Sequence, residues 1–317
     1  MNSYKKTTAD IWTGRKSNQE LYLHEKISCI DIEKEELPKH QSIGFSFLGY
    51  ACEEGVKRNL GRIGTASAPD IIRKMIAPLS NHLKNNAKLI DAGTIFCNEN
   101  DLENIQSITS DKISQLIDNK YFNILLGGGH DLAYAHYNGI KRHYQNTTIG
   151  IINLDAHFDL RIPNDKGNSG TPFYQIAKEN DRFKYLCLGI QEESNNKILF
   201  DTAHKFNVEY IKNTEFNIEN TDRVSVVINN FIASVDHVYL TIDLDGFSSA
   251  YAPGVSAPSA FGFSPDIALR SIEQICKSNK LVSADIVELN PSYDIDNCTA
   301  RLAARLVYYI MKYISSL

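Results

Sequence analysis

Three potential metal-binding side chains occupy alternate positions in one short stretch of the sequence. Asp155, His157 and Asp159 follow the apolar run 149–152. Because successive side chains of a β-strand point to opposite faces, all three would emerge on one side of a strand end. Crowded carboxylates repel one another and are costly to bury ionised, so two of them beside an imidazole usually accompany a cation. The pattern indicates a divalent metal, although a solvated turn would explain this motif alone equally well.

Two further apolar runs end in residues of the same chemistry. Residues 237–246 end in Asp243 and Asp245, again at a spacing of two. Residues 122–131 end in three glycines followed by His130. The glycines favour a tight turn that lets the imidazole reach the cluster, and the lack of a following Lys-Ser/Thr pair argues against a nucleotide-binding loop. Three strand ends thus offer ligands to one edge of a sheet.

The elements that must position these residues alternate between short apolar runs and helical patterns. We predict strands beginning near residues 43, 87, 122, 149, 185, 208, 237 and 281, and helices over about 68–76, 101–118, 132–144, 172–180, 222–233, 265–278 and 299–314. Such alternation is typical of a mostly parallel sheet that binds ligands outside the carboxyl ends of its strands. We therefore predict an α/β fold with three α/β/α layers and a mostly parallel sheet of about eight strands.

The domain organisation and the composition narrow the class of protein. No Gly/Ser-rich linker divides the 317 residues, so we predict one catalytic domain, 1–317, with residues 1–42 as an N-terminal arm.

The net charge of -5 offers no basic surface for nucleic acid. Six scattered cysteines without a C-x-x-C pair are typical of free thiols. No run of 18 apolar residues predicts a membrane span, and we expect a soluble cytoplasmic protein.

Four ordered motifs resemble those of the ureohydrolase family, which comprises arginases, agmatinases and formimidoylglutamases. They are Gly-Gly-His-Asp at 128–131, Asp-Ala-His-Phe-Asp at 155–159, Asp-Leu-Asp-Gly at 243–246 and Asp-Ile-Val-Glu-Leu-Asn-Pro at 285–291. Residues 12–15, 52–62, 159–161, 169–173 and 251–258 are similar to the formimidoylglutamase branch. Arginases and agmatinases usually have a histidine in place of Ser169 and an asparagine in place of Arg161. Both differences point away from guanidine substrates.

The resemblance implies two Mn²⁺ ions per chain. The first would be held by His130, Asp155, Asp159 and Asp243, and the second by Asp155, His157, Asp243 and Asp245. Asp155 and Asp243 would bridge the two ions. Four carboxylates and two imidazoles form an oxygen-rich site that suits Mn²⁺ better than zinc.

The reaction implied by the resemblance is the hydrolysis of N-formimidoyl-L-glutamate to L-glutamate and formamide, a step of histidine degradation. A hydroxide bridging the two manganese ions would attack the formimidoyl carbon. Asp159 would pass its proton to the departing nitrogen, and Glu288 would orient the amidine cation. Arg161 would bind a substrate carboxylate beside Ser169 and Gly170, because guanidinium and carboxylate geometries match.

Several alternatives remain open from the sequence. Glu288 could instead form an ordinary ion pair at the strand end, and Arg161 could be a surface arginine. Arg58 and Arg62 could line the pocket or form structural salt bridges. Another amidine or guanidine hydrolase of the family is the nearest alternative function. A metal-bound relative without turnover is the distant one, and the six filled ligand positions argue against it. Self-association into a homo-oligomer is expected from the resemblance, with a small amidine as the other partner.

We predict that Asp243→Ala abolishes both metal binding and turnover, because this carboxylate is expected to contact both ions. Metal analysis of the reconstituted variant tests the assignment. Retention of two manganese ions per chain would contradict it.

Overall fold

A ten-stranded sheet crosses the computed structural model, which describes residues 3–17 and 19–316. The strands are β1 (Tyr4–Lys5), β2 (Ser28–Cys29), β3 (Gly44–Ala51), β4 (Lys88–Phe96), β5 (Tyr121–Leu126), β6 (Ile149–Leu154), β7 (Lys184–Ile190), β8 (Glu209–Lys212), β9 (His237–Asp243) and β10 (Leu281–Val287). Their order is β1-β4-β3-β5-β10-β9-β6-β7-β8, with β2 also paired to β4. All pairings are parallel except that of β1 with β4.

Helices connect the strands and cover the sheet. They are α1 (Leu23–Lys26), α2 (Glu54–Arg58), α3 (Ala68–Ile76), α4 (Leu102–Asp118), α5 (Leu132–His143), α6 (Pro172–Glu179), α7 (Lys197–Lys205), α8 (Thr221–Ala233), α9 (Pro265–Lys277) and α10 (Cys298–Ser315). Proline lies in the first turn of α3, α6 and α9, where its missing N–H has no intrahelical acceptor to lose. None of the helices in the described parts of the chain is long and apolar enough to cross a bilayer.

The two faces of the sheet bury separate apolar clusters. On β5, Ile124 and Leu126 pack into one cluster, whereas Leu125 packs into the other. This alternation follows from the two-residue period of a strand, and burial on both faces explains why the strand reads as a continuous apolar run. The predicted α/β class with a mostly parallel sheet is confirmed.

The eight predicted strands correspond to β3–β10, and the two additional strands come from the segment before residue 43. This segment lacks a long apolar run, and its pairing with β4 depends on tertiary contacts. Trp12 anchors it by stacking on Phe47 at 5.7 Å between ring centroids and donating Nε1–H to Asp91 at 2.7 Å. Asp91 also pairs with the fully buried Arg73 at 2.8 Å. The division into one catalytic domain and an arm stays a prediction.

The strand order decides where functional side chains can meet. Strands β5, β10, β9 and β6 are consecutive neighbours in the sheet, although β5 is far from β10 along the chain, and β6 is far from β9. Since all four run parallel, their carboxyl ends open on one edge.

Candidate metal centre and pocket

Three of the four neighbouring strand ends, those of β5, β6 and β9, carry all the predicted metal ligands. Asp243 is the last residue of β9 and lies opposite Val287 of β10. Leu154 pairs with Ile242, so the next residue, Asp155, leaves β6 beside Asp243. His130 follows β5 and completes the cluster from the other side.

The first group of potential ligands surrounds the imidazole of His130. Its Nδ1 lies 3.2 Å from Asp155 Oδ2, 2.9 Å from Asp159 Oδ2 and 3.0 Å from Asp243 Oδ2. One ligand atom from each of the four residues fits within 4.8 Å of the others. The structure thus brings together the first predicted set.

The second group contains Asp155, His157 and Asp245. His157 Nδ1 lies 3.5 Å from Asp155 Oδ1 and 3.3 Å from Asp245 Oδ1. Asp155 therefore belongs to both groups, as a bridging ligand would. Asp243, which the resemblance also places in the second set, is grouped only with the first. Its Oδ1 instead accepts the Asp245 backbone N–H at 2.8 Å.

Local backbone geometry aims these side chains. Gly127 and Gly128 both have φ of +78°, and a Cβ at Gly128 would lie 2.4 Å from the ring of Tyr50. The predicted tight glycine turn is therefore present. Asp159 and Glu288 are also left-handed, with φ of +48° and +66°. Non-glycine residues adopt this conformation at a cost, and such strain is concentrated at functional sites.

Burial and crowding shift the proton affinities of the cluster. Burial, with the charges of neighbouring carboxylates, raises the pKa of Asp243 well above its ordinary value and also raises that of Asp159 and Asp245. Burial, together with the charge of Asp245, raises the pKa of Glu288 to about 8. Asp155 differs: burial opposes its ionisation, but the adjacent imidazoles of His130 and His157 lower its pKa.

The cluster fits a cation better than it fits an ordinary hydrogen-bond network. Burial lowers the pKa of His130, but its three carboxylate neighbours outweigh that effect and raise it well above normal. Its Nδ1 nevertheless has no partner of acceptable hydrogen-bond geometry, and neither does the buried Asp245 Oδ1. Three carboxylate oxygens thus lie near an imidazole nitrogen without a hydrogen bond of good geometry. This arrangement is typical of ligands that surround a cation.

A pocket of about 300 Å³ leads from the surface to this cluster. The described residues that line it are Val56, Asn59, Leu60, Gly61, Arg62, His157, Asp159, Arg161, Ser169, Asp243, Asp245, Ser256, Ala257 and Glu288. Arg161, Ser169 and Glu288, which the sequence predicted as substrate contacts, therefore share one cavity with the acidic residues. Gly170 is not among its lining residues, but its carbonyl accepts the Arg161 backbone N–H at 2.9 Å.

Glu288 is almost completely buried, at 5% exposure. Its Oε1 accepts the backbone N–H of His130 at 2.8 Å. No described Lys or Arg forms an ion pair with it, so the ordinary strand-end ion pair is not observed. This carboxylate instead ties the end of β10 to the glycine turn and faces the pocket.

The two arginines left open by the sequence have different environments. Arg58 pairs with Glu54 at 3.0 Å and with Glu103 at 2.7 Å, so its role is structural. Arg62 lines the pocket, but its Nε donates to Ser256 O at 2.9 Å and its guanidinium lies 3.9 Å from the centroid of the Tyr293 ring. Neither guanidinium is as open to a ligand as that of Arg161.

Sequence reasoning gave no role to Asn59, which connects two predicted substrate contacts. Its Nδ2 donates to Ser169 Oγ at 3.0 Å, and its Oδ1 accepts from Arg161 Nη1 at 3.2 Å. Asn153 was also missed, although its amide donates to Asp155 Oδ2 at 2.9 Å. Asn59 lies within the 52–62 stretch that carries the resemblance, which was the available signal. Nothing local in the sequence marks Asn153.

Comparisons with known proteins agree with this architecture. Residues 44–312 match the model of the arginase family. The chain is similar to the formimidoylglutamase of Clostridium tetani, with 37% identity over 99% of this chain and 97% of that protein. The solved formimidoylglutamase of Bacillus subtilis has a TM-score of 0.84 and 21% identity, covering 96% of this chain and 94% of its own. A Trypanosoma cruzi formiminoglutamase solved with Mn²⁺₂ has a TM-score of 0.78 and 22% identity, covering 89% of this chain and 96% of its own.

We predict that Mn²⁺ raises the unfolding temperature more at pH 8 than at pH 5.5. A carboxyl group with a raised folded-state pKa stabilises the fold below its unfolded pKa, and this contribution is lost as pH rises through the folded value. For Glu288, this stabilising contribution is lost between pH 4.5 and about pH 8. Asp159, Asp243 and Asp245 act in the same direction, while Asp155 opposes them.

Thermal unfolding at each pH, with chelator and with excess Mn²⁺, measures the effect. At pH 8 the carboxylates are ionised and repel one another, so bound Mn²⁺ should stabilise the fold by offsetting this repulsion. At pH 5.5 protons compete with Mn²⁺ for the same carboxylates. An equal or larger manganese shift at pH 5.5 would contradict this electrostatic account.

Proposed function

Since the chain belongs to the arginase family, as its motifs predicted, we propose that it hydrolyses N-formimidoyl-L-glutamate to L-glutamate and formamide. The observation that carries this proposal is the pairing, in one pocket, of an acidic ligand cluster with Arg161. This arginine forms no ion pair with any described residue, so it is available to a carboxylate of the substrate. The formimidoylglutamase relatives support the same substrate.

The donor set supports two manganese ions. We assign His130, Asp155, Asp159 and Asp243 to one ion and Asp155, His157, Asp243 and Asp245 to the other. The Mn²⁺₂ of the Trypanosoma cruzi formiminoglutamase supports the choice of metal. When bound, such a pair lowers the pKa of water toward about 7 and so supplies a nucleophile at neutral pH.

Asp159 is the residue we assign to proton transfer. It lies at the pocket wall, partly exposed, with Oδ2 2.9 Å from His130 Nδ1. Attack of water forms a carbon–oxygen bond at the formimidoyl carbon. The bond from this carbon to the glutamate nitrogen then breaks, and that nitrogen must gain a proton to leave as an amine. A carboxyl group that borders the pocket can accept the proton of the attacking water and deliver it there.

Glu288 and Arg161 would hold opposite parts of the substrate. The Glu288 carboxylate, kept in place by the His130 N–H, would attract the amidine cation. Arg161 would bind a glutamate carboxylate through its planar guanidinium, oriented by Asn59. Ser169, in the position where the resemblance predicts histidine for guanidine hydrolases, bonds to the same asparagine. Homo-oligomer formation, the cytoplasmic location and the lack of a nucleic-acid partner stay predictions.

A substrate panel with manganese-reconstituted protein tests the function. We expect formamide and glutamate from N-formimidoyl-L-glutamate, and little or no urea from arginine or agmatine. Urea release without formamide release would favour the alternative of a guanidine hydrolase.

We predict that Arg161→Ala raises KM for N-formimidoyl-L-glutamate and leaves the manganese content unchanged. Loss of one charge-assisted contact costs roughly 1.5–3 kcal/mol, which is about ten- to a hundredfold in binding. The change should fall on KM rather than kcat if the contact is equally strong in the ground and transition states. Arg305→Ala, on the exposed face of α10, is the matched control and should behave as wild type.

Agmatine provides a second control, because it has no carboxylate. Any agmatine hydrolysis should be indifferent to Arg161→Ala or should improve once the cation is removed. Unchanged kinetics for N-formimidoyl-L-glutamate would transfer the carboxylate-binding role to Arg62 or to backbone amides.

A further inference from the structure

A buried chain of hydrogen bonds extends from His130 away from the pocket to helix α5. His130 Nε2 lies 3.0 Å from Thr241 Oγ1, and Thr241 Oγ1 lies 2.6 Å from Asp285 Oδ1. Asp285 Oδ2 lies 2.6 Å from His136 Nδ1. All four side chains are at most 1% exposed. Neither the metal cluster nor the pocket accounts for Asp285 and His136.

The donor and acceptor properties of these groups fix the direction of the chain. The Thr241 hydroxyl has a single proton and donates it to Asp285 Oδ1. The Thr241 oxygen is then left as an acceptor for His130 Nε2–H. In that tautomer His130 Nδ1 keeps its lone pair for a cation, and Nδ1 is the atom that faces Asp155, Asp159 and Asp243.

Asp285 is held from three sides, which keeps the chain pointing in one direction. Besides Thr241, it accepts hydrogen bonds from the Tyr239 hydroxyl and from His136. Burial raises the pKa of Tyr239 well above its ordinary value, so the phenol keeps its proton and remains a donor. The ring of His136 is fixed in turn by Ser283 Oγ, 2.6 Å from its Nε2, and lies 4.5 Å from the Tyr239 ring centroid.

The second imidazole of the cluster lacks such support. His157 is partly exposed, with 23% side-chain exposure, and its Nε2 has no hydrogen-bond partner among the described residues. The two groups of ligands therefore differ in how firmly their histidines are oriented.

We propose that Thr241, Asp285 and His136 are positioning residues that fix the Nε2–H tautomer of His130, and that they set the manganese affinity of the first ligand group but not of the second. This proposal rests on the metal pair assigned above. Ligating histidines generally donate their other N–H to a carboxylate or carbonyl, which orients the ring and raises its basicity. Here the Thr241 hydroxyl accepts the His130 Nε2–H, and the buried Asp285 holds that hydroxyl in position.

Manganese titration of the metal-free protein by calorimetry tests the proposal with Thr241→Val, Thr241→Ser and Asp285→Asn. Valine keeps the threonine shape but removes the acceptor of His130 Nε2–H. We expect Thr241→Val to weaken one of the two binding steps by about 10- to 100-fold. Thr241→Ser, which restores the hydroxyl, should recover the affinity. Thr109→Val, at a fully buried threonine of α4 that bonds only within its helix, is the matched control and should bind both ions as wild type.

Asp285→Asn tests the far end of the chain by a different route. An amide turned toward Thr241 donates, so the hydroxyl would donate to His130 Nε2 and move the ring proton to Nδ1, where it competes with the metal. We expect the same binding step to weaken. If Thr241→Val does not fold, this variant decides the question, and wild-type affinity in Asp285→Asn would overturn the proposal.

Two further readouts separate positioning from a merely structural role. A structural role would lower the unfolding temperature of the chelated variants without changing manganese affinity, and that result would overturn the proposal. A positioning role predicts that excess Mn²⁺ restores kcat with KM unchanged. Because affinity is measured without substrate, a wild-type protein that binds two ions but releases no formamide would reject the proposed function and leave this inference intact.

Discussion

Negative charge confined at the carboxyl ends of four adjacent strands is the constraint on which the rest of the site depends. Asp155, Asp243 and Asp245 are each at most 5% exposed. Ionised carboxylates that are this close and this buried require protons, directed donors or a cation. The protein supplies some donors, through Asn153 and the backbone N–H groups of His157 and Asp245. The remainder of the charge makes the cluster suitable for a cation.

The same constraint explains the unusual backbone of the site. Asp159 and Glu288 adopt left-handed conformations that cost of order 1–3 kcal/mol each, and Glu288 is held in this conformation between β10 and the glycine turn. Glu288 N–H bonds to Gly128 O at 2.9 Å, while its side chain accepts from His130 N–H. The ends of β5 and β10 are thus held together, so Glu288 has a fixed position relative to His130.

His130 links the solvent side of the site to the core of the protein. Its Nδ1 faces the carboxylates that border the pocket, and its Nε2 faces Thr241 and the network behind it. Arg161 belongs to the opposite, exposed side, where Asn59 is its only described side-chain hydrogen-bond partner. The structure therefore combines a rigid buried half, which suits a metal site, with an open half that leaves a cation available for a ligand.

The sequence by itself determined the fold class, the eight main strands and the six candidate ligands, because these depend on local periodicity and on motifs at strand ends. Helices α3 to α6 and α8 to α10 end within two residues of their predicted bounds for the same reason. The sequence could not determine the sheet order, which brings β5, β10, β9 and β6 together. The ends of β5 and β10 are neighbours although some 160 residues separate them along the chain.

Only the tertiary structure decided which polar residues act on the site from outside the motifs. Asn59 meets Arg161 across about 100 residues of sequence, and His136 meets Asp285 across about 150. The apolar pattern over 132–144 predicted the helix that carries His136. What the pattern could not contain is the partner, because a buried hydrogen bond depends on where two distant elements are packed and leaves no periodic trace in either one.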